Sequence, residues 1–306
     1  MAEHSRVIDL RRQRLRILGC KFAVVLSIAY CIGLPVAFAQ DIDNVPELLD
    51  DTYFLPDEEL LGFVEIPAGE FTMGSNPLID PMAFENERWS EGRRQGRVEL
   101  PSYYIGKYEV TAQQYRAFVE DTDYRAEPSL WEIPALHPAA MVSWTDAIAY
   151  ARWLEAQLKA SDSTPLAVQS LLSAGWHISI PTEAQWEKAA RGPGVSIYPW
   201  GNRPNPTLAN YDAETTTMVG SFACRQCAYG LQDMSGNVWE WTSSPYQPYP
   251  FDPSDDREQL ADDALWVMRG GSFSDAENNI RVSVRGAADP GARRDFIGFR
   301  LVLSKE

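Results

Sequence analysis

The chain has 306 residues, with 27 Lys/Arg against 43 Asp/Glu and a formal net charge of −16. That length buries a core as one large domain or two small ones. The acidic balance excludes a role built on gripping phosphate backbones or anionic lipid surfaces, so no nucleic-acid partner is expected.

The first element is a leader. Arg6, Arg11, Arg12, Arg14, Arg16 and Lys21 precede an apolar run from Phe22 to Phe38, and Ala37 and Ala39 supply small residues before Gln40. This layout predicts a secretory signal peptide over residues 1–39, with an uncleaved anchor as the alternative. The run is short for a membrane span and contains Gly33 and Pro35, so no stable span is expected after cleavage. Cys20 follows Ile17-Leu18-Gly19 in the manner of a lipoprotein box, but it lies upstream of the apolar run, which excludes lipidation. A periplasmic location follows. Residues 40–306 hold 21 basic and 41 acidic residues, a formal charge of −20, which suits binding of cations or of basic surfaces as well as plain solubility.

Residues 40–62 form an acidic leader segment on the domain surface, and 63–306 form one domain without internal repeats. The alternation from Val64 to Gly74 predicts two short strands joined at Pro67–Gly69. A polar loop over 75–98 carries Glu85, Glu87, Arg88 and Trp89, and Tyr103–Val110 reads as a strand. Three helix starts follow, each with a hydroxyl cap: Thr111 before Tyr115, Phe118 and Val119; Ser143 before Ala147, Ile148, Ala151, Trp153 and Leu154; and Thr182, boxed by Gln185. After Gly192 the chain is rich in Gly, Pro, Asn and Trp, a composition for compact coil and short strands. Tyr246–Asp263 reads as an exposed acidic loop. Cys224 and Cys227 are the only cysteines beyond the leader, and they read as a local disulfide stiffening a loop, with a redox-active pair as the alternative.

A series of motifs then accumulates in order: Ile66-Pro67-Ala68-Gly69-Glu70-Phe71-Thr72-Met73-Gly74-Ser75, Tyr108-Glu109-Val110-Thr111, Val142-Ser143-Trp144, Ile180–Glu187, Tyr198–Asn202, Gly236-Asn237-Val238-Trp239-Glu240-Trp241, Arg269-Gly270-Gly271-Ser272 and Gly298-Phe299-Arg300. Together they resemble the formylglycine-generating-enzyme (sulfatase-modifying factor) family. The resemblance implies an α+β, C-type-lectin-like fold with low regular secondary-structure content and a shallow groove. It also implies calcium: Asp233, Gly236, Val238 and Glu240 match one site of two carboxylates and two carbonyls, a hard-oxygen set. Glu240 bonding only its own loop is the alternative. A second site starts at Asn210 and Tyr211, but the shortened loop from Asp212 to Thr217 lacks two expected ligands, for which Asp212 or Glu214 could substitute.

The chain departs from the family at its chemistry. The enzymes place two copper-binding cysteines shortly after Gly-Gly-Ser, and thiolates suit Cu(I). Here the stretch is Phe273-Ser274-Asp275-Ala276-Glu277-Asn278-Asn279-Ile280-Arg281, without cysteine. Cys224 and Cys227 belong to another motif. The family's sulfoxide synthases bind iron through histidines of an added helical domain, whereas residues 40–306 hold only His137 and His177. No copper or iron is therefore expected. Ser272, Asp275, Glu277 and Arg281 are the groove candidates, with an ordinary polar loop as the alternative. Two functions follow from the resemblance: a calcium-stabilised accessory factor that binds a periplasmic or envelope protein, as in type VI secretion, or a periplasmic oxidoreductase acting on a siderophore precursor, as in pyoverdine maturation.

Overall fold

The computed structural model describes residues 53–90, 95–252 and 264–305; the expected signal peptide and the start of the acidic leader lie outside them. Among the described residues, three small sheets and four α-helices carry the fold. In the first sheet, β1 (Phe63–Ile66) pairs antiparallel with β4 (Tyr103–Gly106), and β10 (Val302–Ser304) lies between β4 and β5 (His177–Ser179). A two-stranded ribbon joins β2 (Gly69–Met73) to β3 (Gly96–Leu100). The third sheet has the order β8 (Gly286–Ala288), β7 (Trp266–Arg269), β6 (Trp239–Pro245) and β9 (Ile297–Gly298), with β6 and β9 parallel.

The helices begin where the hydroxyl caps predict. For α1 (Ala112–Thr122), α2 (Trp144–Ala160) and α4 (Glu183–Arg191), the side chains of Thr111, Ser143 and Thr182 accept from the third helical amide, whose own side chain reaches back. These boxes satisfy backbone donors that would otherwise be orphaned. The aromatic faces of α1 and α2 pack together through Tyr115, Phe118, Tyr150 and Trp153, and Tyr115 and Tyr150 meet Phe299 edge to face.

Four local expectations change. A further helix, α3 (Leu166–Ser173), starts behind Pro165 with no side-chain cap, so it left no signal in the sequence. The polar loop of 75–98 ends early in strand β3, and its Trp89 and Glu87 are buried. The strand expected over Tyr103–Val110 stops at Gly106. The core also reaches upstream of Phe63: Leu55 and Leu61 are buried in it, and Tyr53 meets Trp153 edge to face. In the loop after β6, the described part is not wholly exposed. Tyr249 packs on Trp89 and donates its hydroxyl to Glu183 at 3.2 Å.

What fastens α4 to the sheets is charge. Glu187, fully buried, accepts from the Gly74 amide at 2.8 Å and from Arg191 at 2.6 Å, and it pairs through its other oxygen with Arg269. Arg269 in turn donates to the carbonyls of Val282, Ser283 and Val284. One turn earlier, Glu183 holds Arg285 through Nε at 2.6 Å and Nη2 at 2.9 Å. The arginines and the backbone amide hold the Glu187 carboxyl below the ordinary range despite burial. Removing one partner leaves an uncompensated buried charge. Glu187→Ala is therefore expected to cost about 3–5 kcal/mol in chemical denaturation; a loss under about 1 kcal/mol, the scale of a surface pair, would contradict this arrangement.

Candidate functional site

The Gly-Gly-Ser segment leaves β7 through two left-handed residues, Gly270 (φ 96°) and Gly271 (φ 72°). A Cβ on Gly271 would lie 2.5 Å from the Asn279 carbonyl, so the loop from 272 to 281 closes only over glycine. Inside this loop Asp275 is the hub. Its Oδ2 accepts from the Ser272 amide (3.0 Å), the Ser272 hydroxyl (2.7 Å) and the Trp239 indole (2.8 Å), and its Oδ1 accepts from Asn279 (3.0 Å). Four donors occupy both oxygens, so Asp275 organises the loop and is not a free base.

The groove candidates are therefore split. Ser272 and Asp275 come together, but Ser272 is fully buried. Arg281 is buried too: it donates to Glu87 at 2.6 and 2.8 Å and to Asp80 at 2.5 Å. Glu277 alone is exposed, with its carbonyl accepting the Tyr198 hydroxyl at 3.1 Å. Sequence reasoning missed Glu87, an acid in a polar stretch, because only the fold reveals its partner.

The second constellation gathers around Asn237, a buried residue at φ 62°. Its amide donates to the Asn210 carbonyl (2.9 Å), its Oδ1 accepts from Asn210 (3.2 Å) and from Thr217 N (2.9 Å), and its Nδ2 donates to Glu109 (2.8 Å). Gly236 allows this approach, since a Cβ there would sit 2.1 Å from the Asn210 oxygen. The expected ligands Asn210, Gly236, Val238 and Asp233 thus fall on two adjoining loops, whereas Tyr211 packs away against the Ile197–Tyr198 cluster.

Glu240 is differently engaged. Arg300 grips both its oxygens at 2.6 Å and the Trp186 indole donates at 2.7 Å. Asp233 accepts the Gly220 amide at 2.6 Å. Burial, and then the neighbouring carboxylates Asp233 and Glu240, push the Glu109 carboxyl well up. Burial likewise raises Asp233 from 3.8 to about 6, against the pull of the Gly220 amide and Arg300. Glu109 Oε1 has no hydrogen-bond partner. Three buried carboxylates thus gather around one guanidinium, a charge balance that a bound cation would offset. Among the described residues no three His, Cys, Asp or Glu side chains converge as a ligand set. A cation here would draw on carbonyl oxygens, such as those of Gly236 and Val238, beside Asp233.

His137 bonds Thr216 at 2.9 Å and burial lowers its pKa, while His177 sits exposed beside Glu155, 22 residues upstream and 3.4 Å away. Cys224 and Cys227 form a disulfide. No helix among the described residues is long and apolar enough to cross a membrane.

A mixed fold of small sheets, capped helices and compact coil, with a buried Arg–Glu lattice and a Gly-Gly-Ser loop, defines a recognisable class. The sulfatase-modifying factor enzyme 1-like domain profile matches residues 54–305, and the chain belongs to that family. It is 31% identical to a hercynine oxygenase of Mycolicibacterium smegmatis, over 92% of this chain and 71% of that protein. It spans only 56% and 58% of the length of two further mycobacterial hercynine oxygenases. It is also 30% identical to the inactive C-alpha-formylglycine-generating enzyme 2 of Mus musculus, over 79% of this chain and 85% of that one. Among solved structures, PvdO from Pseudomonas aeruginosa superposes with a TM-score of 0.62 at 25% identity, covering 79% of this chain and 94% of PvdO.

The raised Asp233 carboxyl has a sign. Its folded-state value of about 6 exceeds the ordinary 3.8, so the folded state binds the proton more tightly. In chelator, its contribution is greatest below pH 4 and falls by on the order of 3 kcal/mol as pH rises toward about 6. Denaturation midpoints across that window should fall less steeply in Asp233→Asn; identical slopes would contradict the assignment.

Proposed function

We propose that this chain is an exported, calcium-stabilised protein-binding factor that has kept the family scaffold and lost the oxidase. The observation that carries the reading is Asp275. In the stretch after Ser272 where the family's enzymes carry thiolates, this chain has a carboxylate whose oxygens are filled by Ser272, Trp239 and Asn279. Nothing there offers a soft ligand for copper, and the charged groups beneath are paired with one another. The likeness to a mammalian relative named inactive supports the same direction.

In this reading the protein works in the periplasm and its partner is an envelope protein, in the manner of an accessory to type VI secretion. Calcium, held by Asp233 with the carbonyls of Gly236 and Val238, locks the 233–240 loop against Asn210. Glu240 serves that loop through Arg300. A second calcium would use Asn210 and Tyr211. The likeness to PvdO favours a second reading, oxidation of a siderophore precursor, in which the same groove would present Glu277 as a proton acceptor.

Two tests follow. Calcium at about 100 times its Kd should stabilise the protein by about 2.7 kcal/mol, and Asp233→Asn should abolish that gain; an equal gain in the variant would contradict the site. Copper-loaded protein incubated with a cysteine-containing peptide and oxygen should leave the peptide mass unchanged. Conversion of its cysteine to formylglycine would overturn the reading.

A further inference from the structure

Neither constellation described above uses the Cys224–Cys227 disulfide. The bridge belongs to the loop over residues 220–233, which is closed at its base by the Gly220 amide donating to Asp233 at 2.6 Å. The turn that carries the bridge is held by bonds of its own. The Cys227 amide donates to the Cys224 carbonyl at 3.3 Å, the Cys224 amide to the Gln232 side-chain oxygen at 3.3 Å, and the Gln232 side-chain nitrogen to the Gly230 carbonyl at 3.0 Å. Gln232 is anchored in turn: its amide donates to the Lys107 carbonyl and its carbonyl accepts from Arg300, both at 3.0 Å. Ala228 rests on the end of α4, where a Cβ on Gly192 would lie 2.3 Å from the Ala228 Cβ.

A bridge across two intervening residues, in a turn already closed this way, adds little stability, because the chain entropy a disulfide removes grows with the loop it closes. Opening it leaves both thiols on the same held turn, ready to close again. The two cysteines differ in access. Cys224 is only 4% exposed, whereas Cys227 is partly exposed. Ala223, Arg225 and Gln226 are exposed and Phe222, Ala228 and Tyr229 half-buried, so an incoming polypeptide meets apolar surface beside the bridge. Charge sets the turn apart as well. Residues 40–306 carry −20, yet residues 215–232 hold no Asp or Glu, and Arg225 is their only charge. A cation without neighbouring carboxylates in the chain favours a thiolate.

We propose that Cys224–Cys227 is an exchange-active disulfide that oxidises a cysteine pair of a polypeptide substrate, with Cys227 the sulfur attacked and Cys224 the leaving thiolate. One substrate thiolate bonds to Cys227 Sγ while the Cys224–Cys227 bond breaks, and Cys224 departs as a thiolate that takes a proton from water. The second substrate thiolate then bonds to the sulfur joined to Cys227, which closes the substrate's own disulfide and releases Cys227 to be protonated in the same way. Two electrons pass from the substrate to the chain: two substrate thiols are oxidised to a disulfide, and the bridge is reduced to two thiols. A cysteine pair suits this better than two separate thiols, because the second step is then intramolecular. The chemistry needs neither the calcium site nor the envelope partner, and it stands apart from the protein-binding reading.

The first test equilibrates the protein in glutathione buffers of graded reduced-to-oxidised ratio, then traps its thiols by alkylation and weighs it. The bridge should pass from disulfide to dithiol within that range while near-UV circular dichroism stays unchanged, because structural bridges resist this thiol pool and exposed exchangeable ones do not. A bridge that stays closed throughout, or opens only as the near-UV signal is lost, would be an inert staple and overturn the proposal. Mixed under argon with a reduced Cys-Gly-Gly-Cys peptide, the native chain should yield the peptide disulfide, read by mass; a peptide left reduced would likewise overturn it. The order of attack is read from single variants treated with 5,5′-dithiobis(2-nitrobenzoate). Cys224→Ser, which leaves Cys227, should react about tenfold faster than Cys227→Ser, which leaves the buried Cys224. Equal rates, or a faster reaction at Cys224, would contradict the assignment of Cys227 as the sulfur attacked.

Discussion

The fold depends on a lattice of buried arginines gripping buried carboxylates. Arg191, Arg269, Arg281, Arg285 and Arg300 are all nearly or fully buried, and their partners are Glu183, Glu187, Glu87, Asp80 and Glu240. Each guanidinium has donors left over, and most go to carbonyls: Arg191 to Gly74 and Ser196, Arg269 to three residues of 282–284, Arg300 to Gly106 and Gln232. In a chain with so little regular structure those carbonyls lack a ladder to join. A planar fork with five donors satisfies several at once, which a lysine cannot do. The net stability gained over an apolar replacement is small, because desolvation offsets most of the attraction. What the lattice supplies is registry: it fixes which stretch of coil lies against α4 and which against the 272–281 loop.

The same physics separates scaffold from site. Where a carboxylate meets an arginine squarely, as Glu187 and Glu240 do, it is structural and no longer free for chemistry. Where carboxylates outnumber cations, as Glu109, Asp233 and Glu240 do around Arg300, burial and mutual repulsion push the Glu109 and Asp233 carboxyls up toward their neutral forms. Asp275 belongs to the first kind despite its position, since neutral donors fill it as completely as an arginine would.

Much of the fold was legible in the sequence because its signals are local. Thr111, Ser143 and Thr182 announce helices through capping chemistry that needs only the next three residues. The Gly-Gly-Ser turn and the Asn237 loop were legible only as motifs of the family resemblance, and the structure supplies the reason for them, positive φ and close backbone approach. Illegible features were those decided across long separations. Nothing near Glu87 in sequence indicates that Arg281, 194 residues away, will bury it. Nothing near Glu240 indicates that Arg300 and Trp186 will donate to its oxygens. Helix α3 was missed for the opposite reason: it is short, begins behind a proline, and depends on packing for its existence.

In the function proposed above, the scaffold holds calcium and has given up redox metals. The most direct measurement is the metal content of protein purified from its native compartment without chelator, by plasma mass spectrometry. The account predicts about one calcium per chain, with copper and iron at background. Copper or iron at a comparable ratio would contradict it.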